Sequence, residues 1–214
     1  MSYEIARGVK LEVQKTVADA KSVTALTQAS PGVATSAAHG MSDGAVGYFA
    51  SVAGMVTLEG QAVRIDNPAT NTFELQNIDT TSMPAFTSGS FYTVTAWDTV
   101  GNSTDVDIGG GAADKQDQTT LIDDIKQEIV GLLAAQTVTV TGWTDDQSAA
   151  MKTIEAAAFA STPLVFRLTS KTGKQRVWRG IPSLPGEKWS VGQTPSGSFE
   201  VTVSGRVVKL PVIA

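Results

Sequence analysis

The chain has 214 residues, of which 42% are hydrophobic and only 17% are charged. This length suffices for one large or two small domains, and the low charged fraction suits a protein that buries surface against copies of itself. The absence of cysteine excludes disulfides and thiolate metal sites. No apolar run approaches the roughly 20 residues that span a bilayer, and the start lacks a signal-peptide pattern. We therefore expect cytoplasmic synthesis and no membrane insertion by this chain.

The net charge of −5 is unevenly distributed. Residues 1–114 contain 5 basic and 12 acidic side chains, for a net charge of −7, whereas residues 115–214 contain 11 basic and 9 acidic ones, for +2. Neither half has the excess of Lys and Arg that binds nucleic-acid phosphates. The composition argues against a dedicated nucleic-acid-binding protein.

The first predicted element is a half-buried strand over residues 8–15. Apolar residues at positions 9, 11 and 13 alternate with polar ones, and successive side chains of a strand point to opposite faces. Glu12 falls on the polar face of this strand.

A segment of different composition follows over residues 23–92, where Arg64 is the only Lys or Arg residue. Short runs typical of strands recur at residues 33–36, 45–52, 61–65, 72–75 and 91–95. Turn signals such as SPG and SDG separate these runs, a pattern that favours a small barrel or sandwich.

Residues 98–117 are rich in Gly, Asp and Ala and predict a mobile loop. Beyond it, Ile122, Ile125, Ile129 and Leu132 recur at spacings of 3, 4 and 3, which predicts an amphipathic helix.

The remaining elements are a strand, a helix and a series of strands. The sequence TVTVT predicts a strand over residues 137–141. Thr144 and Gln147 match a capping box for a helix over residues 148–159. A hairpin is expected from residues 164–168 and 175–181, followed by strands at 187–191 and 199–203. Ser204 and Gly205 are expected to turn the chain into a last strand at 206–212.

The order of these C-terminal elements resembles the major tail tube proteins of long-tailed, siphovirus-like bacteriophages. The shared pattern is a helix, then LVFRLTSKTGKQRVWRG over residues 164–180, the EKWS strand and FEVTVSGR over residues 199–206. The strand at 9–13 is similar to the first strand of that family, and residues 106–108 resemble its third. The resemblance covers residues 1–22 and about 93–214.

This resemblance implies a mainly β (α+β) fold. Two packed β-sheets form a tail-tube-type β-sandwich or barrel with a flanking α-helix, built from residues 1–22 and 93–214. Residues 23–92 depart from the family pattern and are expected to form an inserted small β-barrel-like domain. Residues 98–117, with the helix after them, are the expected flexible loop that stacks one ring on the next.

The resemblance also implies a function without enzyme activity or cofactors. The chain is expected to be a structural virion protein of the phage tail, made in the host bacterial cytoplasm. By this resemblance, hexameric rings are expected to stack into a tube whose lumen holds the tape measure protein and later passes DNA without specific binding. The tail terminator and tail-tip proteins are further expected partners.

The expected contacts between subunits and rings are salt bridges between an acidic loop and a basic hairpin. The acidic residues are Asp98, Asp105, Asp107, Asp114 and Asp117, and the basic ones are Lys171, Lys174, Arg176 and Arg179. A nucleic-acid surface is the alternative for the basic cluster, although only one aromatic residue lies within it. Glu12 is assigned to the lumen, which should be weakly acidic so that DNA phosphates are not trapped.

The sequence predicts no catalytic, cofactor-binding or metal site. The single histidine, His39, has no partner for general-base chemistry and is expected to anchor a turn or lie at the surface. Asp98, Asn102, Asp105 and Asp107 lack the spacing of a calcium loop. The glycines at 109–111 are not followed by the Lys and Ser or Thr of a phosphate-binding loop.

A binding module is the alternative from a different functional class. In that hypothesis a monomeric or trimeric β-protein recognises host glycans or another tail protein through residues 23–92. Rings or tubes favour the first hypothesis, and a compact monomer that binds glycan favours the second.

Overall fold

The computed structural model describes residues 7–120, 122, 124–145 and 147–212. These residues form a mainly β structure with one α-helix, which confirms the predicted fold class. The strands are β1 (Lys10–Val17), β2 (Lys21–Val23), β3 (Ala25–Leu26), β4 (Gly32–Thr35), β5 (Val46–Ala53), β6 (Ala62–Asp66), β7 (Thr72–Leu75), β8 (Ser88–Thr99), β9 (Ser103–Ile108), β10 (Ala113–Asp117), β11 (Glu128–Leu133), β12 (Thr137–Trp143), β13 (Leu164–Thr169), β14 (Gln175–Pro182), β15 (Gly186–Lys188) and β16 (Ser196–Leu210). The helix is α1 (Ala149–Phe159), and Val56–Leu58 form a 3-10 turn.

The described strands other than β10 and β11 join into one sheet. Its order is β3-β4-β7-β6-β5-β8-β1-β13-β14-β16-β12-β9, with β2 also paired to β8 and β15 to β16. β10 and β11 form a separate antiparallel hairpin. The hairpin leaves the sheet where β9 ends and β12 begins, so it projects from one end of these two strands.

β8 links residues 23–92 to the rest of the sheet. Its first half pairs with β5, up to the pair Gly47 and Thr93, and its second half pairs with β1 from Val94 onward. The strand therefore runs without a break through the predicted boundary at residues 92 and 93. The division into an inserted domain and a tube core stays a prediction, and the two parts share one continuous sheet.

Two hydrophobic clusters cover opposite faces of β13, β14 and β16. Val165 and Val177 belong to the first cluster, whose other members come mainly from residues 23–91. Phe166 and Trp178, whose rings stack 5.8 Å apart, belong to the second, with α1, β12 and β1. Because both faces of these strands are covered, β13 begins with three consecutive buried residues in place of strict alternation.

The predicted loop over residues 98–117 is wrong. These residues contain the end of β8, all of β9 and all of β10. β9 pairs with β12, placing Val106 opposite Val140 and Ile108 opposite Val138. Most of the aspartates in this segment occupy exposed positions of β9 and β10. Their abundance resembles the composition of a loop, although the backbone is extended.

The predicted helix over residues 122–132 is also wrong, because residues 128–133 form β11. An amphipathic helix needs a surface to cover its apolar stripe. The described chain packs nothing over Ile122, Ile125, Ile129 or Leu132, all of which are exposed. Pairing with β10 satisfies the backbone groups of β11 without such a surface.

The predicted turn at Ser204 and Gly205 does not occur, because β16 runs unbroken from Ser196 to Leu210. Gly205 has a φ of 80°, which glycine adopts at little cost, and the pairing register with β14 shifts nearby. The Gln61 side chain bridges this irregularity. It accepts from the Arg206 N–H and donates to the Arg206 carbonyl, both at 3.0 Å.

The helix forms where expected but has a different cap. Ser148 is the N-cap, and its Oγ accepts from the Met151 N–H at 3.2 Å. Thr144, the predicted cap, instead bonds the Pro195 carbonyl through its backbone N–H and its hydroxyl. The predicted N-cap is therefore wrong and lies four residues before the actual one.

We expect Ser148→Ala to lower the free energy of unfolding by about 1 kcal/mol, the usual effect of losing an N-cap hydroxyl. Thr144→Ala should lower the free energy of unfolding clearly less, because the hydrogen bond from its backbone N–H to the Pro195 carbonyl is kept. Urea denaturation of both variants measures the difference, and equal losses would contradict the assignment of the cap.

Candidate assembly interface

The β10–β11 hairpin, with residues 118–127 between its strands, is called the arm, and its described large apolar side chains are exposed. Ile122 is 92% exposed and Leu132 88%. The other exposed large apolar residues of the arm are Ile125, Ile129, Val130 and Leu133. Exposed apolar groups concentrated on one projecting element mark a surface that a partner covers.

Ion pairs within the arm brace its two strands. Glu128 bonds Lys126 at 2.7 Å and Lys115 at 3.3 Å. These two lysines hold the pKa of the Glu128 carboxyl below its usual value. Hydrogen bonds from Thr119 likewise lower the pKa of Asp117. The lysines of the arm are therefore engaged within it.

The structure divides the five predicted acidic contact residues among three places. Asp114 and Asp117 are exposed on the arm, and Asp105 and Asp107 are exposed on β9. Asp98 lies apart on β8, where its side chain is only 15% exposed and pairs with Lys15 at 3.0 Å. Four of the five thus remain accessible for contacts, whose role stays a prediction.

β9 is the last strand at one edge of the large sheet, and β3 is the last at the other. β3 has only two residues, whereas β9 has six. An edge strand leaves backbone N–H and C=O groups on its outer side for pairing with another chain. The longer open edge lies directly beside the base of the arm.

The four residues of the predicted basic cluster also do not form one surface. Lys171 and Lys174 are exposed in the turn between β13 and β14, and Arg176 is half-buried. Arg179 instead stacks on the ring of Tyr48, with 4.1 Å from its Cζ to the ring centroid. Burial lowers the pKa of Arg179. Its guanidinium joins two parts of this subunit, and the other three residues remain available to partners.

Glu12 is buried within the described part of the subunit. Its side chain is 5% exposed and binds Arg167 at 2.7 Å and Lys10 at 2.6 Å. Arg167 in turn stacks over Trp97, 4.3 Å from the ring centroid. The assignment of Glu12 to the lumen stays a prediction, but its carboxylate is neutralised within the chain.

We expect Glu12→Gln to lower the free energy of unfolding by about 2–3 kcal/mol, because Arg167 then loses its only carboxylate partner among the described residues. Glu200→Gln, an exposed change on β16, is the matched control and should have little effect. Equal stability of the two variants in urea denaturation would contradict a structural role for Glu12.

The structure contains a groove that sequence patterns do not predict. It lies at the ends of β9 and β12 that are farther from the arm. Val140 and Phe199 form part of its floor, and Trp143, 50% exposed, lines it. Three carboxylates also line it: Asp145 before α1, Glu155 on α1 and Glu187 on β15. The exposed WSV run at 189–191 after the Pro-Gly break is the one sequence signal of an unusual surface nearby.

His39 anchors a turn. Its Nδ1 accepts from the Met41 N–H at 3.0 Å, and its Nε2 lies 3.2 Å from the Thr72 carbonyl oxygen. The ring is 4% exposed and packs edge-on against Phe73. Both ring nitrogens are thus engaged by the backbone, as expected for a structural histidine.

The described residues contain neither a metal-binding cluster nor a membrane-spanning helix. No group of three or more His, Cys, Asp or Glu side chains among them could hold a metal ion. Within the same residues, no helix has the length and apolar character to cross a membrane.

Comparison with protein families identifies a relationship for most of the chain. The family model described as phage tail tube protein, TTP, matches residues 53–207, which is more than half of the chain. The matched range includes residues 53–92 of the segment expected to be an insertion. No curated protein matches the chain.

Proposed function

We propose that this chain, which belongs to the phage tail tube protein family, forms the tail tube of a siphovirus-like phage as stacked hexameric rings. Its role is structural, and it assembles with itself in the tail of the virion. In this proposal the arm of each subunit, and not a flexible loop, makes the contact between rings.

The arm is the observation that carries the proposal. Burial of one leucine side chain contributes about 1.5–3 kcal/mol, and the arm exposes six large apolar side chains that the described subunit does not cover. Such an element is unfavourable in a solitary subunit and stabilising in a polymer. The edge of β9 beside the arm adds backbone groups that can pair with a neighbour in the ring.

The charge distribution supports a conduit for DNA. The net charge is −5, and Asp105 and Asp107 are exposed beside the open edge. A polar, weakly acidic channel repels phosphates and does not trap them. The lumen would hold the tape measure protein before DNA passes, and the tube ends would bind the tail terminator and tail-tip proteins. The subunits would be made in the host cytoplasm.

End-on class averages from cryo-electron microscopy of the assembled chain test the number of subunits in each ring. The proposal predicts six subunits around an open channel. A different rotational order would contradict the hexamer. A compact monomer that binds glycans on an array would contradict the tube and favour the binding module.

A further inference from the structure

We propose that the acidic groove of one subunit receives the basic β13–β14 turn of the next copy along the tube. This inference rests on the proposed function, since it names the partner surface of a subunit that stacks on itself. It adds a second contact between copies to the one made by the arm.

The groove combines an apolar floor with a negative rim. Val100, Val140 and Phe199 lie at its base, each less than a tenth exposed. Among the described residues that line it there is no Lys, Arg or His, while Asp145, Glu155 and Glu187 are all present.

The three carboxylates of the groove have no cationic partner in the described chain. None of them forms an ion pair with a described basic side chain. Asp145 accepts from the Asn102 amide at 3.2 Å, and Glu187 from the Trp189 indole N–H at 3.0 Å. Uncompensated carboxylates around a partly apolar groove favour a cationic occupant.

The β13–β14 turn has the opposite charge and a suitable shape. Lys171 and Lys174 are exposed, and neither forms an ion pair with a described acidic side chain. Gly173 has a φ of 87°, which permits the tight turn that holds the two lysines close together. A narrow turn with two cations suits a groove with three carboxylates.

The two surfaces lie at opposite ends of one strand. β16 pairs with β15 at Ser198, beside the groove, and with Gln175 at Leu210, beside the turn. A fully extended strand between these points would span about 40 Å. Complementary patches at opposite ends form a heterologous contact, which repeats from copy to copy and builds an open polymer when the repeat does not close into a ring.

Charge exchange on the full-length chain tests this contact. Lys171→Glu with Lys174→Glu should raise the concentration needed for tube formation about tenfold or more, because two attractions become repulsions. Adding Glu155→Lys and Glu187→Lys to the same chain should restore assembly, because the exchanged charges again attract. Raised salt should weaken assembly of the unmodified chain.

Two controls accompany the exchange. Lys171→Arg with Lys174→Arg keeps the charge and should assemble normally. Lys21→Glu, on β2, changes charge away from the turn and should also assemble.

Normal assembly of the Lys171→Glu/Lys174→Glu chain would overturn the proposal, as would a folded four-site variant that stays unassembled. Failure of the unmodified chain to form tubes would refute the proposed function itself, and this contact with it. The unmodified chain therefore separates the two failures before any variant is made.

Discussion

Leu132→Asp with Leu133→Asp is expected to abolish tube growth while leaving the Tm of the isolated subunit unchanged. Both side chains are exposed on β11, at 88% and 76%, so the subunit gains nothing from them. Burial against a neighbour would contribute roughly 3–6 kcal/mol for the pair, and burial of two aspartates would oppose contact. Electron microscopy and calorimetry measure the two effects separately.

Leu132→Met with Leu133→Met is the matched control, because methionine keeps the apolar surface and should allow tubes to form. Tubes from the aspartate variant would show that the arm makes no essential contact. A large fall in its Tm would instead show that the arm packs within the subunit.

Arg64→Met is expected to give the largest loss of stability among the single substitutions proposed here, about 3 kcal/mol or more. Arg64 is 1% exposed. Its guanidinium donates to Gln175 Oε1 at 3.0 Å, to the Pro211 carbonyl at 2.8 Å and to Gln76. Burial lowers the pKa of Arg64, and Asp66 opposes that shift. Methionine fills similar space but leaves three acceptors without their donor.

Urea denaturation followed by tryptophan fluorescence measures the effect of Arg64→Met. Arg176→Met is the control and should lower the free energy of unfolding much less, because Arg176 is half-buried and its guanidinium donates to the carbonyl of the neighbouring Gln175. We expect a single cooperative transition, since Arg64 joins residues 23–92 to the C-terminal strands. Two separate transitions, with no loss from Arg64→Met, would contradict this coupling and support an autonomous inserted domain.

The sequence predicts strands well where one face is buried and the other exposed. In residues 137–141, Val138 and Val140 are buried while the threonines that alternate with them are more exposed. The same reasoning fails where both faces are covered. Glu12 is on the polar side of β1 yet buried, because Arg167 and its stacking partner Trp97 cover that side.

Local periodicity gives the wrong secondary structure in the arm. The spacing of Ile122, Ile125 and Ile129 fits a helix, but a helix is stabilised mainly by packing its apolar face. No packing surface for that face exists within the described subunit, and the segment that includes Ile129 instead pairs as β11 with β10. The proposed contact between rings rests on the exposed apolar residues of the arm, because their chemistry does not depend on the secondary structure.

The tertiary features of the candidate interface depend on register and cannot be derived from local patterns. The groove combines carboxylates at positions 145, 155 and 187, which are far apart in sequence. The sequence groups Arg179 with the basic residues of the hairpin, yet its guanidinium stacks on Tyr48 from another segment. β5 and β14 are not neighbours in the sheet order, so this contact forms only where the sheet packs against itself, as β6 does against β14 and β16.

Assembly of the purified chain over a range of concentrations tests self-polymerisation most directly. Sedimentation velocity, with negative-stain microscopy of the same samples, should show a sharp onset of long particles with a continuous central channel. A chain that sediments as a single subunit at every concentration, and forms no hollow particles, would contradict the account.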